Sequence, residues 1–207
     1  IDETTAATYT YWVAEYNGNV FPAACESKRV KVTVEVKKPQ PPTVNVTKQE
    51  VCFGEKNPTL TAVAQGNVQW YETEPAYPAT DSDAERTSYV STQTEVGTHT
   101  VWATQMYDNC LSEATSVTFT VKPNPAAPTV ADVSICESAP KESLCATPAD
   151  GGTITWYTNE NRTGQLSKLT CYTPPVTYPD VYEYYASQTV DGCESETQKA
   201  TYTIRRM

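Results

Sequence analysis

Apolar and polar residues alternate at period two in run after run along this chain. Tyr9-Thr10-Tyr11-Trp12-Val13, Val30-Lys31-Val32-Thr33-Val34-Glu35-Val36, Thr115-Ser116-Val117-Thr118-Phe119-Thr120-Val121 and Thr153-Ile154-Thr155-Trp156-Tyr157 all follow it. Successive side chains of a strand face opposite sides, so such runs read as strands with one face buried. Their Thr, Val, Tyr and Trp content suits a pleated, half-covered surface. Asn17-Gly18, Asp108-Asn109, Asp150-Gly151-Gly152 and Asp191-Gly192 stand between runs as turn signals. No segment carries a helical period. Short strands punctuated by turns predict an all-β protein of sandwich type.

The pattern also repeats. Residues 9–36, 99–121 and 182–204 share an alternating aromatic strand, a turn, a Cys, a Ser two residues on, and a second alternating strand. Trp102 to Tyr185 and Cys110 to Cys193 are both 83 residues. Upstream, Val51-Cys52 matches Ile135-Cys136, Leu60-Thr61-Ala62 matches Leu144-Cys145-Ala146, and Gln69-Trp70-Tyr71 matches Thr155-Trp156-Tyr157. A fixed period of this length marks a tandem array. The expected organisation is residues 1–38 as the C-terminal part of one module, residues 39–123 as a second module and residues 124–207 as a third. The joints, Lys37-Lys38-Pro39-Gln40-Pro41-Pro42 and Lys122-Pro123-Asn124-Pro125, are rich in Pro, which fixes φ and favours extended backbone. Modules joined in this way are expected to form an extended rod. The first segment supplies only two strands, and an isolated hairpin is marginal, so its Trp12 and valines await a cover. Missing upstream sequence is the favoured source, with a partner chain the alternative.

A module of some 80 residues builds a marginal core, which makes its cysteines important. The chain has seven Cys, one His and a net charge of −10. The acidic balance argues against nucleic acid and anionic membranes as partners, and no run is long and apolar enough to insert in a bilayer. Equivalent Cys at equivalent positions suggest the pairs Cys52–Cys110 and Cys136–Cys193. Cys145 and Cys171 replace Thr61 and Ser88 of the preceding module, and this paired gain suggests a third bond. Cys25 has no partner within the chain by this scheme, and its partner is expected upstream of Ile1. The bridges are expected to staple one end of each sandwich. Disulfides of this kind point to an exported protein. Zinc is disfavoured, because there is no C-x-x-C spacing and a single His.

At these residues the chain resembles the Ig-like modules of very large surface proteins of the Bacteroidetes, including gliding-motility adhesins exported by the type IX secretion system. Cys52, Leu60-Thr61-Ala62, Trp70-Tyr71, Cys110 and Ser112 carry the resemblance once. Cys136, Leu144, Ala146, Trp156-Tyr157, Gly192-Cys193 and Ser195 carry it again. It implies tandem immunoglobulin-like β-sandwich modules on the cell surface. Further Ig-like modules of the same polypeptide are the implied partners, with surface polysaccharide or secretion and motility proteins beside them.

Candidate chemistry is sparse. Neither G-x-S-x-G, H-E-x-x-H nor a phosphate loop occurs, and no cofactor or enzymatic activity is expected. His99, flanked by Thr98 and Thr100, reads as a solvent-facing strand residue. Asp81, Asp83 and Glu85 are the one cluster with the alternate carboxylates of a calcium loop, and a solvated loop is the favoured reading. Of each Trp-Tyr pair, Trp is expected in the core, and Trp12, Trp102 and Tyr185 are expected in or near it. Tyr71, Tyr77, Tyr107 and Tyr157 are then candidates for exposed, ligand-stacking rings. The functional expectation is a non-catalytic stalk or adhesion segment of a large exported repeat protein. The alternative is a spacer or carbohydrate-binding accessory region of a secreted polysaccharide-degrading enzyme.

Overall fold

Alternation becomes strand throughout the computed structural model, which describes residues 6–15, 26–76, 84–85 and 87–206. Among the described residues every regular element is a strand. The chain divides into two compact units. The first comprises Ile1–Thr47, Thr59–Ser91 and Thr100–Thr118; the second comprises Lys48–Pro58, Thr92–His99 and Phe119–Met207.

The first unit begins with β1 (Ala7–Val13) and β2 (Val30–Val36), an antiparallel hairpin in register from Ala7 opposite Val36 to Val13 opposite Val30. Its apolar positions are bare: Trp12 is 61% exposed, and Val30, Val32 and Val34 are exposed as well. Trp12, expected in or near the core, therefore lies outside it, because among the described residues β1 and β2 pair only with each other.

The chain continues through β3 (Thr43–Val46), β4 (Glu50–Cys52), β5 (Thr59–Val63), β6 (Asn67–Tyr71), β7 (Ala84–Glu85), β8 (Ser88–Val90), β9 (Gly97–Tyr107), β10 (Cys110–Leu111) and β11 (Thr115–Lys122). Strands β9 and β11 contribute to both units. In the first unit β5 lies between β3 and β8, while β6 lies between β9 and β7. These two layers bury Leu60, Ala62, Val68, Trp70, Tyr89, Val101 and Ala103. Trp70 and Tyr89 stack with their centroids 5.8 Å apart.

In the second unit β4 runs parallel to the end of β11, with Cys52 opposite Lys122. Then come β12 (Thr129–Val130), β13 (Val133–Cys136), β14 (Leu144–Thr147), β15 (Thr153–Tyr157), β16 (Gln165–Ser167), β17 (Cys171–Tyr172), β18 (Asp180–Val190), β19 (Cys193–Glu194) and β20 (Gln198–Arg205). One sheet has the order β12-β14-β17, the other β13-β20-β18-β15-β16, and β19 folds back on β18. Ile135, Leu144, Ala146, Ile154, Trp156, Tyr184, Ala186, Ala200, Tyr202 and Ile204 form the core between them. Every second residue of β20 points into it, which is the alternation of the sequence made physical. Trp156 is fully buried, and its indole Nε1 donates to the Leu169 carbonyl at 3.1 Å, so the one polar atom of the ring is satisfied. This is an immunoglobulin-like β-sandwich.

Candidate functional site

The repeated hairpin is held by the Ser that follows each Cys. Ser112 and Ser195 are fully buried. Ser112 Oγ accepts from the Gln105 amide at 3.0 Å and donates to the Glu113 carbonyl at 2.8 Å. Ser195 Oγ accepts from the Gln188 amide at 3.0 Å and donates to the Glu196 carbonyl at 2.7 Å. The first segment repeats the closure, with the Glu15 amide donating to Ser27 Oγ at 2.8 Å. Each Ser amide also donates back, to the Glu15, Gln105 or Gln188 carbonyl. The hydroxyl caps a turn whose inner residues, Asp108-Asn109 and Asp191-Gly192, have positive φ. Asn tolerates that conformation nearly as well as Gly, which explains how Asp-Asn replaces Asp-Gly.

The neighbouring glutamines reach the Pro-rich joints. Gln105 Nε2 donates to the Gln40 carbonyl at 2.6 Å, while its Oε1 accepts from the Gln65 and Gly66 amides at 2.8 Å each. Gln188 Nε2 donates to the Ala126 carbonyl at 2.6 Å, and its Oε1 accepts from the Ala149 amide at 2.7 Å. Both side chains are buried, as are Pro42 and Pro128 in the same joints. Sequence reasoning missed these glutamines. The signal was available: Gln105 and Gln188 recur at the same spacing of 83 as the cysteines.

Cys52 and Cys193 form the centre of the candidate site. They are bonded to each other across 141 residues, and both are buried, at 7% and 1% exposure. Lys122 beside Cys52 pairs with Glu50 at 3.0 Å and donates to the Asp191 carbonyl at 2.6 Å. Glu55 accepts from the Cys52 amide at 3.1 Å and pairs with Lys48 at 3.3 Å. These contacts, the Cys52 amide first, hold the Glu55 carboxyl below its usual range. On the other side Asn124 Nδ2 donates to the Phe53 carbonyl at 3.0 Å, and Arg162 donates to the Ser195 carbonyl at 2.9 Å. The bond is thus flanked by open, charged depressions lined by Lys48, Glu50, Lys122 and Asp191 on one side and by Glu55, Asn124, Arg162 and Glu194 on the other. The arrangement anchors distant stretches of one polypeptide to each other. Among the described residues no group of three or more His, Cys, Asp and Glu is placed to hold a metal.

The pairings Cys52–Cys110 and Cys136–Cys193 are therefore corrected. Cys136 pairs with Arg205 at the end of β20, beside the start of β18 at Asp180, whereas Cys193 pairs with Val190 at the other end of β18. The ten steps between Asp180 and Val190 span roughly 35 Å, far beyond the Cα separation of about 7 Å a disulfide tolerates. The two cysteines stand at opposite ends of one sandwich, so no bridge staples them. Cys110 and Cys136 are free thiols, half-buried and exposed respectively. Cys145 and Cys171, the pair read from the substitutions, are bonded across adjacent strands β14 and β17 on an exposed face. Cys25 lies outside the described residues.

Two of the Tyr candidates are interior. Tyr71 is buried, with its hydroxyl 3.3 Å from Thr104 Oγ1 and donating to Gln69 at 3.0 Å. Tyr157 is buried and donates to Glu194 at 2.8 Å; burial and then Glu194 raise its pKa. Tyr71 rests on Gln69 and Thr104 and Tyr157 on Glu194, so both members of each Trp-Tyr pair are enclosed. Tyr107 is 45% exposed on its hairpin. Tyr77, Asp81 and Asp83 lie outside the described residues, as does the side chain of Glu85. Trp102 and Tyr185 are half-buried. His99 is half-buried rather than solvent-facing: Nε2 donates to the Glu95 carbonyl at 2.6 Å, Nδ1 lies 2.8 Å from Gln93 Oε1, and the ring lies 5.3 Å from Phe119.

Comparison with known proteins agrees with this architecture. No curated protein matches the chain. Among solved structures, a stretch of titin domains is 13% identical with a TM-score of 0.40, covering 100% of this chain and 77% of that one. A two-domain fibronectin type III segment of chicken tenascin is 13% identical with a TM-score of 0.29, covering 79% and 98%. The sandwich rests instead on the strand pairings above and on a family model: residues 125–205 match the model described as "Ig-like domain CHU_C associated". The segment from Pro125 to Arg205 is thus similar to Ig-like modules of that type.

Proposed function

We propose that this chain is a non-catalytic stalk segment of an exported cell-surface adhesin, in which successive Ig-like repeats are bonded so that the array resists tension. One observation carries the reading: the Cys52–Cys193 bond ties a strand of one sequence repeat to the hairpin of the next. Flanking polar contacts support the same joint, and clamped prolines limit its freedom. Two disulfides accord with an extracellular setting. The finer reading is a surface protein of the type IX-secreted, gliding-motility kind, with further modules of its own polypeptide as neighbours.

Single-molecule extension between the chain ends tests the proposal. With the bond intact, the 141 residues between the two cysteines cannot extend. At roughly 3.5 Å per residue, reduction should release about 50 nm of additional length. Oxidised chain that extends as far as reduced chain would end the tension-resisting reading.

A further inference from the structure

Of two pairs of equivalent cysteines, one member of each pair is bonded and the other is free. Cys52 and Cys136 occupy the same local structure. Each ends a short strand running parallel to the last strand of its sheet, opposite Lys122 and Arg205 respectively. Each is followed by the same bonds: the Phe53 amide donates to the Lys122 carbonyl and the Glu137 amide to the Arg205 carbonyl, while the Glu55 and Ala139 amides donate to the Cys52 and Cys136 carbonyls. Cys110 and Cys193 likewise share one Ser-closed hairpin, opposite Tyr107 and Val190. Cys52 bonds Cys193, while Cys136 is exposed and Cys110 half-buried.

A second contact recurs between the end of one repeat and the hairpin of the next, across 69 and 71 residues. Lys122 donates to the Asp191 carbonyl beside the bond. Lys37, at the equivalent place in the first segment, pairs with Asp108, the counterpart of Asp191. The basic residue that ends one repeat thus meets the hairpin of the next at both positions, and Arg205 stands at the third.

We infer that Cys136 is half of a further joint, and that it bonds the cysteine at the position of Cys193 in an Ig-like repeat following Arg205. The inference extends the reading of the chain as part of a tandem array. Each repeat then gives its strand-end cysteine forward and its hairpin cysteine backward, so the bonds form a staggered ladder along the polypeptide. By the same rule Cys110 takes a cysteine at the position of Cys52 in a preceding strand. The bond forms by thiol–disulfide exchange. The Cys136 thiolate attacks a small disulfide oxidant, releasing one thiolate; the second cysteine then displaces the remaining half. The two protein thiols lose two protons and two electrons, and the oxidant becomes two thiols.

The test is a chain carrying an additional copy of residues 124–207 directly after Arg206, which keeps the joint length. It is refolded in oxidised and reduced glutathione and mapped by non-reducing peptide mass spectrometry. The expected product links Cys136 to the additional copy's counterpart of Cys193, with Cys52–Cys193 retained. A Cys145–Cys171 bond within the additional copy reports that it has folded. Cys136→Ser should leave the new hairpin cysteine as a free thiol. A folded additional copy with Cys136 still free, or bonded to any other cysteine, overturns the ladder. This outcome is independent of the extension experiment, because the new bond forms or fails to form whatever force the chain withstands.

Discussion

The side chain of Gln188 spans 62 residues of sequence to donate to the Ala126 carbonyl at 2.6 Å, and Gln105 makes the same bond to Gln40. A buried amide with both ends engaged fixes two backbone segments at once. Gln188→Ala removes the donor for Ala126 and the acceptor for the Ala149 amide. Leaving these part-buried backbone groups without partners costs up to about 1–3 kcal/mol. Guanidinium unfolding should show a loss in that range, while Gln198→Ala, at an exposed position, should leave the midpoint nearly unchanged.

The two disulfides should differ in accessibility and in worth. Cys145 and Cys171 are exposed, Cys52 and Cys193 buried. Mild reductant followed by alkylation and peptide mapping should label Cys145 and Cys171 first. The 141-residue loop is worth about 5 kcal/mol in the chain-entropy model and the 26-residue loop about 3.5 kcal/mol. Paired Cys→Ser variants should therefore lose more stability at Cys52 and Cys193 than at Cys145 and Cys171.

Gly66 is required by a close approach. A Cβ there would lie 2.0 Å from the Met106 carbonyl oxygen and 2.9 Å from the Tyr107 Cα, both backbone atoms that cannot rotate away. Gly66→Ala must push β6 from β9 and should cost roughly 1–3 kcal/mol, as overpacking does. Unfolding followed by Trp fluorescence measures it, because Trp70 lies on β6.

Alkali should loosen the second unit through Tyr184. Burial, and then the neighbouring Tyr172, Tyr182 and Tyr202, push its pKa from 10.0 up to about 12. The folded state keeps the proton after the unfolded chain has lost it, so the unfolded state binds fewer protons between these values. Stability is then intact below the unfolded value and falls as pH rises toward the folded one. Denaturant midpoints at rising alkaline pH should decline over that window, and Tyr184→Phe should flatten the decline.

Alternation made the strands legible, and the period of 83 made the hairpins legible, because both are local. Cysteine pairing was not local. The repeat identifies which cysteines are equivalent, but a bond within a repeat and a bond to the next repeat satisfy that equivalence equally. The parallel register of β13 along β20, which sets Cys136 and Cys193 at opposite ends of a sandwich, is a long-range fact. Tyr71 and Tyr157 were misplaced for a related reason. Strand alternation assigns a residue to a face, but whether that face is covered depends on residues elsewhere, Thr104 for Tyr71 and Glu194 for Tyr157. Trp12 differs in the opposite sense, since β1 and β2 have the right pattern and, among the described residues, no opposing sheet.

Arrays of similar neighbours risk exchanging strands while they fold. The Ser-closed turn works against that exchange. The bonds from Gln105 to Ser112 and from Gln188 to Ser195 each span seven residues, so a hairpin can close without any residue of its look-alike. Each copy thus carries its own short-range instruction for which strand to pair. The longer bond between repeats then has correctly folded partners to join.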